Sequence, residues 1–340
     1  MKRVTICGGG SLGHVVAGWL SARNHAIVNI LTGRPEKWQS DIVVDTPDEL
    51  ILNGKISKIS NRAEDIIPES DVVLLCLPGY MIAKQLEAIK PFLKPSTYVG
   101  SVFSSTGFFF EALDILGNEQ PLWGFQRVPF ISRVNEYGKS AHLLGYKNSH
   151  NIAIENVSNS KKVEFAIMLQ DWFERPINVL HNYFEASLTN SNPLLHTSRL
   201  YTMFSNENEG KTFDRMVYFY EEWTEAAADL YIKMDEEFFR LLKVLPVSEG
   251  YLPRVLDYYE SHDAKSLAAK LSSIQGFKGI TSPMKQTDGG WVADFESRYF
   301  TEDFPYGLRY IWQLAHEKGV DCPNIDRVYE WGMSKVKQKQ

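Results

Sequence analysis

The sequence predicts an α/β fold, a doubly wound parallel sheet, followed by an all-α second domain. Three observations predict it. An apolar run, Val4-Thr5-Ile6-Cys7, leads into Gly8-Gly9-Gly10-Ser11-Leu12-Gly13 at the very start of the chain. Strand-like and helix-like stretches then alternate through the first half. From Asn192 the pattern becomes mostly helical. A length of 340 residues suits two domains, drawn here as 1–180 and 181–340, each long enough to bury its own core.

Taken in order, the first strand ends at Cys7, and Leu12, Val16, Trp19 and Leu20 then recur at helical spacing, which predicts a helix over 13–23. A second strand follows at 26–31, so strand, glycine turn, helix and strand open a βαβ unit. The stretch 49–60 reads as a hairpin turning at Asn53-Gly54. Residues 71–77 form a continuous apolar strand, as a sheet covered on both faces requires. That strand stops at Pro78-Gly79, an amphipathic helix occupies 81–93, and another strand at 97–103 ends in Ser104-Ser105-Thr106-Gly107. Short strands near 143–145 and 151–155 precede a helix at 161–173.

Beyond Asn192 the longest pattern is 213–244. There Met216, Tyr220, Trp223, Ala227, Leu230, Met234, Phe238 and Leu241-Leu242 make one apolar helical stripe without an internal Gly or Pro. Such a stripe is core or dimer contact. Further helices are expected at 264–273 and 306–318, and the polar tail 335–340 is expected to fray.

Composition narrows the function. The chain is 44% hydrophobic and 23% charged, the balance of an ordinary globular protein. A net charge of −6 argues against nucleic acid as the main partner. No apolar run approaches the roughly 18 residues of a membrane span, and the first strand begins too early for a targeting segment. The cysteines Cys7, Cys76 and Cys322 are scattered and odd in number, which suits buried free thiols and a reducing cytoplasm. No metal-ligand set is expected.

Gly8, Gly10 and Gly13 form G-x-G-x-x-G between a strand and a helix, and that context makes the pattern specific. Gly8 permits the tight turn, Gly10 lets a pyrophosphate approach the backbone, and Gly13 lets helix and strand pack closely. The helix start at Ser11 and Leu12 offers unpaired N–H groups to phosphate. A Rossmann-type dinucleotide site follows. An NAD site usually carries Asp or Glu about twenty residues on. Here Thr32 stands at that place, with Arg34 and Lys37 behind it. Without a carboxylate to repel it, a 2′-phosphate is favoured, so NADP is expected, held by Arg34 and the Thr32 hydroxyl.

Two further stretches carry chemistry. In Asn192-Pro193-Leu194-Leu195-His196, Pro193 suits the first residue of a helix, Asn192 or Ser191 can cap it, and His196 then falls in the first turn. Taken alone, such a histidine is more often structural than catalytic. In the run from Ser297 to Gly307, Arg298, Glu302 and Asp303 sit among large aromatics. Charges so placed are costly to bury unless paired or used.

Taken together these stretches resemble the octopine/nopaline (opine) dehydrogenase family, over nearly the whole chain. The resemblance rests on the glycine loop, Cys76-Leu77-Pro78, Ile89-Lys90-Pro91-Phe92-Leu93-Lys94-Pro95, the stretch 123–129 and Leu143-Leu144-Gly145. Its most specific parts are Asn192-Pro193-x-x-His196 and Arg298-Tyr299-x-Thr301-Glu302-Asp303-x-Pro305-Tyr306-Gly307-Leu308. It implies a nicotinamide-binding Rossmann domain, to which Leu77 and Pro78 also contribute. It further implies a helical domain like the C-terminal part of 6-phosphogluconate dehydrogenase, with the active site between the two. Members condense an amino acid with a 2-oxo acid and reduce the imine. The resemblance makes His196 the acid–base residue, Asp303 its partner carboxylate and Arg298 the holder of a substrate carboxylate. Asn192 caps the helix or touches substrate. Arg127 stands where relatives tend to have a small hydroxyl residue, so it adds a carboxylate contact or signals a different substrate. The turn Ser104-Ser105-Thr106-Gly107 also replaces a more glycine-rich one.

Two other readings compete. A ketopantoate reductase-like enzyme would reduce a 2-oxo acid without an amine, but that class usually places a lysine on the helical domain. A non-catalytic NADP-binding sensor would leave His196, Arg298 and Asp303 without a task.

Overall fold

A computed structural model describes residues 1–336, and of the polar tail the part 337–340 lies outside them. The chain divides into two compact units, Met1–Thr189 and Asn190–Gln340. The first unit runs past residue 180 because the short helix at Tyr183–Ser187 packs on its strands.

Its elements, in chain order, are β1 (Arg3–Cys7), α1 (Ser11–Ala22), β2 (Ile27–Leu31), β3 (Asp41–Asp45), β4 (Ile51–Ser60), β5 (Val72–Leu75), α2 (Gly79–Ile89) and β6 (Tyr98–Ser101). Then come α3 (Phe108–Leu116), β7 (Leu122–Phe125), β8 (Phe130–Glu136), β9 (Ser140–Tyr146), β10 (His150–Glu155), α4 (Asn159–Phe173), β11 (Ile177–Val179) and α5 (Tyr183–Ser187). Among the described residues the strands make one sheet in the order β11-β10-β7-β6-β5-β1-β2-β4-β3-β9-β8. The run β4-β2-β1-β5-β6-β7 is parallel throughout. That is the doubly wound order, reversing direction between β1 and β5, where ligands of such sheets bind.

Alternation along the strands explains the layers. Val4 and Ile6 of β1 and Val72 and Leu74 of β5 enter one core, with Trp19 of α1 and Leu169 of α4. Cys7, Val73 and Leu75 enter the other, with Leu86 of α2 and Phe109 of α3. All three cysteines are free and buried.

One expectation for this unit changes. Residues 49–60 are not a hairpin. β4 is one ten-residue strand paired antiparallel with β3, and the turn lies upstream, where Glu49 has φ 61°. Gly54 sits mid-strand because β4 crosses α1 closely, and a Cβ there would lie 3.1 Å from the Gly18 backbone and 2.2 Å from Ser21 Oγ. The strand expected near 143–145 lies within β9, whereas its partner β8 and the helix α3 have no counterpart in the periodicity.

The second unit contains α6 (Asn192–Phe204), α7 (Glu225–Leu242), α8 (Val255–Tyr258), α9 (Ala264–Ser273), α10 (Arg298–Thr301), α11 (Arg309–Glu317) and α12 (Pro323–Lys335). A π-helical turn at Phe304–Leu308 leads into α11. The unit is helical but not purely so, since β12 (Met284–Thr287) and β13 (Gly290–Ala293) form a small antiparallel pair. The long stripe at 213–244 is also not one helix. α7 starts only after Thr224, whose side chain accepts from Ala227 N. Upstream the chain bridges in extended form, Phe213 to Trp291 and Tyr218 to Thr281. The stripe residues Met234, Phe238 and Leu241 are buried where α7 packs on α6 and α9, so they form core and are not free for a dimer.

Candidate active site

The glycine loop lies at the end of β1, against the end of β5. Gly8 has φ +119°, and a Cβ there would meet Cys76 O at 2.5 Å and the Leu77 side chain at 2.9 Å. A Cβ on Gly13 would meet Gly8 O at 2.3 Å. Gly10, by contrast, faces open space. No side chain caps α1, so the first N–H groups of this twelve-residue helix are available to an anion. Pro78 stands at the start of α2, and Leu12 is half-buried against the core. Ser11 Oγ accepts from Val134 N at 3.1 Å and serves the fold in part. These residues fit a dinucleotide pyrophosphate, since the loop is closed where glycines are needed and open where the ligand would lie.

Thr32 follows β2 and is buried beside this loop. Its Oγ1 accepts from Arg34 N and lies 3.4 Å from Tyr137 Oη. The Arg34 guanidinium is exposed and has no partner among the described residues.

His14, buried in α1, escaped the sequence reading. Its Nδ1–H donates to Gly10 O at 2.9 Å, and its Nε2 accepts from Gly138 N at 2.7 Å. Burial lowers its pKa despite the opposing bond to Gly10, which suits the neutral ring that both bonds require. One imidazole therefore ties the glycine loop to the β8–β9 turn.

In the second unit, His196 is buried in α6. Its Nδ1 lies 2.8 Å from Asp303 Oδ2, and its Nε2 lies 2.8 Å from Tyr220 Oη. Tyr299 and Phe219 pack on the ring, with centroids 4.8 and 5.4 Å away. The two motifs meet because the π-helical turn lies flat on the start of α6. A Cβ on Gly307 would come within 2.8 Å of Pro193 Cγ.

Burial, reinforced by Tyr299, Tyr259 and Asp303, pushes the Tyr220 phenol well above its ordinary pKa, so it stays protonated and can donate to Nε2. Nδ1–H then donates to the Asp303 carboxylate. The chain Asp303–His196–Tyr220 is a connected hydrogen-bond relay able to pass a proton.

Tyr220 is held by Arg199, one turn beyond His196 on α6. This buried guanidinium donates to Phe219 O at 3.3 Å and Glu222 O at 2.7 Å, clamping the irregular segment on both sides of the phenol. Burial lowers its pKa to about 10, which leaves it charged at neutral pH.

Other expected site residues fall less centrally. His196 is the fifth residue of α6, past its first turn, and the helix enters differently from the expected cap. Ser191 is already helical and makes no side-chain cap, while Asn190 Oδ1 accepts from Asn192 N at 3.3 Å. The Asn192 side chain therefore does not cap. Arg298 opens α10, next in the chain to Tyr299, with its guanidinium exposed and unpartnered among the described residues. Arg127 belongs to the first unit. Its guanidinium donates to Thr189 O at 2.7 Å beside a cavity of about 110 Å³ shared with Lys147, His150 and Asn151.

Comparisons with known proteins bear on this geometry. The family model described as NAD/NADP octopine/nopaline dehydrogenase, alpha-helical domain, matches residues 179–336. The model of ketopantoate reductase PanE/ApbA matches residues 4–104. Tauropine dehydrogenase of Arabella iricolor is 29% identical across 97% of this chain and 90% of its own. Octopine dehydrogenase of Mizuhopecten yessoensis is 24% identical across 98% and 90%. A solved octopine dehydrogenase with NADH and L-arginine matches with a TM-score of 0.85 at 24% identity, covering 98% of this chain and 89% of the other. Yersinopine dehydrogenase with NADP+ bound matches at 0.73 and 14% identity, covering 98% and 91%.

Proposed function

We propose that the chain, which matches the helical domain of octopine/nopaline dehydrogenases over residues 179–336 and is similar to tauropine and octopine dehydrogenases over nearly its whole length, is a pyridine-nucleotide oxidoreductase acting on CH–NH bonds that condenses an amino acid with a 2-oxo acid and reduces the imine with NADPH. The observation that carries the reading is the imidazole held between Asp303 and Tyr220. Condensation needs a base to take a proton from the incoming amine and an acid to give one to the departing hydroxyl. His196 serves both, because one imidazole ring can accept a proton at one nitrogen and donate one from the same ring. Asp303 holds the ring and stabilises the imidazolium that forms. Tyr220, donating to Nε2, either relays the proton or yields its place to substrate.

Arg298 is the residue for a substrate carboxylate, since its planar fork is uncommitted and two parallel hydrogen bonds would orient the acid. Asn192 is a lesser candidate on the same helix as His196, and Arg127 is already partly engaged. Reduced nicotinamide, when bound, supplies the hydride. Gly8, Gly10, Gly13 and the open start of α1 would hold its pyrophosphate, with Leu12, Leu77 and Pro78 alongside. Thr32 and the free Arg34 favour a 2′-phosphate and hence NADP. Three unpaired buried thiols suit a reducing cytoplasm.

The test is a matrix of amino acids against 2-oxo acids with NADPH or NADH, read by cofactor oxidation and product mass. The expected product is the two substrates joined with loss of water and gain of two hydrogens, formed faster with NADPH. Cofactor oxidation that ignores amines would instead favour the ketone-reductase reading, which the match over 4–104 supports. A clear NADH preference would overturn the cofactor assignment alone.

A further inference from the structure

The turn joining α11 to α12 gathers three metal-type donors that the catalytic reading does not use. His316 stands in the last turn of α11, Cys322 immediately precedes α12, and Asp326 lies in its first turn. His316 Nε2 is 3.5 Å from Asp326 Oδ1, and Cys322 Sγ is 3.4 Å from the same oxygen. The three donor atoms all lie within 4.8 Å of one another. Zinc bound tetrahedrally at about 2.0–2.3 Å places neighbouring ligand atoms roughly 3.4–3.6 Å apart. The His316–Asp326 and Cys322–Asp326 edges match that spacing.

The donors are also oriented. His316 Nδ1–H donates to Trp312 O at 2.9 Å, which leaves the Nε2 lone pair for a metal. Its ring rests on Trp312, with centroids 4.5 Å apart. Metal-ligating histidines are commonly fixed by such a bond from the other ring nitrogen. The loop carrying Cys322 is pinned from α7 on both sides. Glu237 accepts from Asn324 N and Nδ2 and from Ile325 N at 2.9, 2.6 and 2.8 Å, and Arg240 donates to Asp321 O at 2.9 Å. Cys322 is buried while His316 is exposed, so the cluster opens to solvent on one side.

We propose that His316, Cys322 and Asp326 form a divalent transition-metal site, with zinc the best-suited ion, that staples the α11–α12 turn. Thiolate, imidazole and carboxylate together select zinc over magnesium or calcium, whose ligands are oxygens. Binding releases the Cys322 thiol proton to solvent, and a fourth position stays open to water. None of these residues belongs to the His196 relay, so the proposal stands apart from the proposed reaction.

The full-length protein, stripped with a chelator, is titrated with Co²⁺ and then Zn²⁺. The expected result is one Co²⁺ per chain, with a thiolate-to-cobalt charge-transfer band, intense four-coordinate d–d absorption and displacement by Zn²⁺. Cys322→Ser should abolish the charge-transfer band. His316→Ala, at an exposed position that tolerates truncation, should weaken binding by at least about tenfold. Absence of saturable one-per-chain binding would overturn the site. So would a charge-transfer band that survives Cys322→Ser, or affinity unchanged in His316→Ala. If Cys322→Ser does not fold, His316→Ala decides alone.

Discussion

At the scale of residues, the imidazole of His196 is defined by what stands on either side of it. Asp303 and Tyr220 impose one tautomer, with the proton on Nδ1 and the phenol donating to Nε2. Asp303→Asn can present its amide N–H to Nδ1 and reverse that tautomer. Its kcat should fall by about 100-fold or more, the scale of general acid–base catalysis, with cofactor binding unchanged by fluorescence titration. Tyr220→Phe removes only the outer donor. Its kcat should fall less, with the acidic and basic limbs of the pH–rate profile displaced, which a purely structural phenol would not cause. His196 and Asp303 were legible as members of two sequence motifs. Tyr220 was not, because it fell in register with an apolar stripe and was read as core. Arg199 gave no signal either, since a lone arginine in a helix reads as solvated until its burial is known.

Among the elements, β4 and the start of α7 show where periodicity misleads. Asn53-Gly54 has the composition of a hairpin turn, yet Gly54 lies mid-strand where β4 meets α1. Gly54→Ala should therefore destabilise the first unit by about 1–3 kcal/mol, as overpacking does. Thermal melts would register this as a drop of several degrees. A type I′ turn would accept Asn at this position with little change, so an unperturbed Gly54→Asn would contradict the strand assignment. In the second unit, the apolar spacing runs unbroken through 213–244, but Thr224 caps a helix that begins only there. The preceding segment is extended because it bridges to Thr281 and Trp291, residues far along the chain. Local sequence carries no record of such partners.

For the molecule as a whole, acid is the expected weakness. His150 is buried between Phe125 and Phe173 with an Nε2 unpartnered among the described residues, and burial, with Arg175 and Lys147 nearby, lowers its pKa to about 4 from the ordinary 6.5. His14 shifts in the same direction. A histidine kept neutral by the fold is at no disadvantage above pH 6.5, where the unfolded chain is neutral as well. As pH falls from about 6.5 to about 4, the unfolded chain takes up the proton and the folded chain does not, so stability is lost across that window. His150 alone accounts for on the order of 3 kcal/mol. Denaturant melts between pH 7 and 4.5 should show the loss, and His150→Phe should flatten it relative to wild type. An equal pH slope in the variant would reject this assignment.

The sequence by itself determined the βαβ start, the glycine loop, the doubly wound sheet, the helical second half and the two motifs bearing His196 and Asp303. These are local patterns, in which periodicity and turn chemistry act within a few residues. Tertiary structure alone decided the partners. It set the phenol of Tyr220 against Nε2, clamped that phenol with Arg199, joined the glycine loop to the β8–β9 turn through His14, and gathered His316, Cys322 and Asp326. A contact between residues distant in the chain depends on packing and burial. Neither is written in the spacing of side chains along one segment.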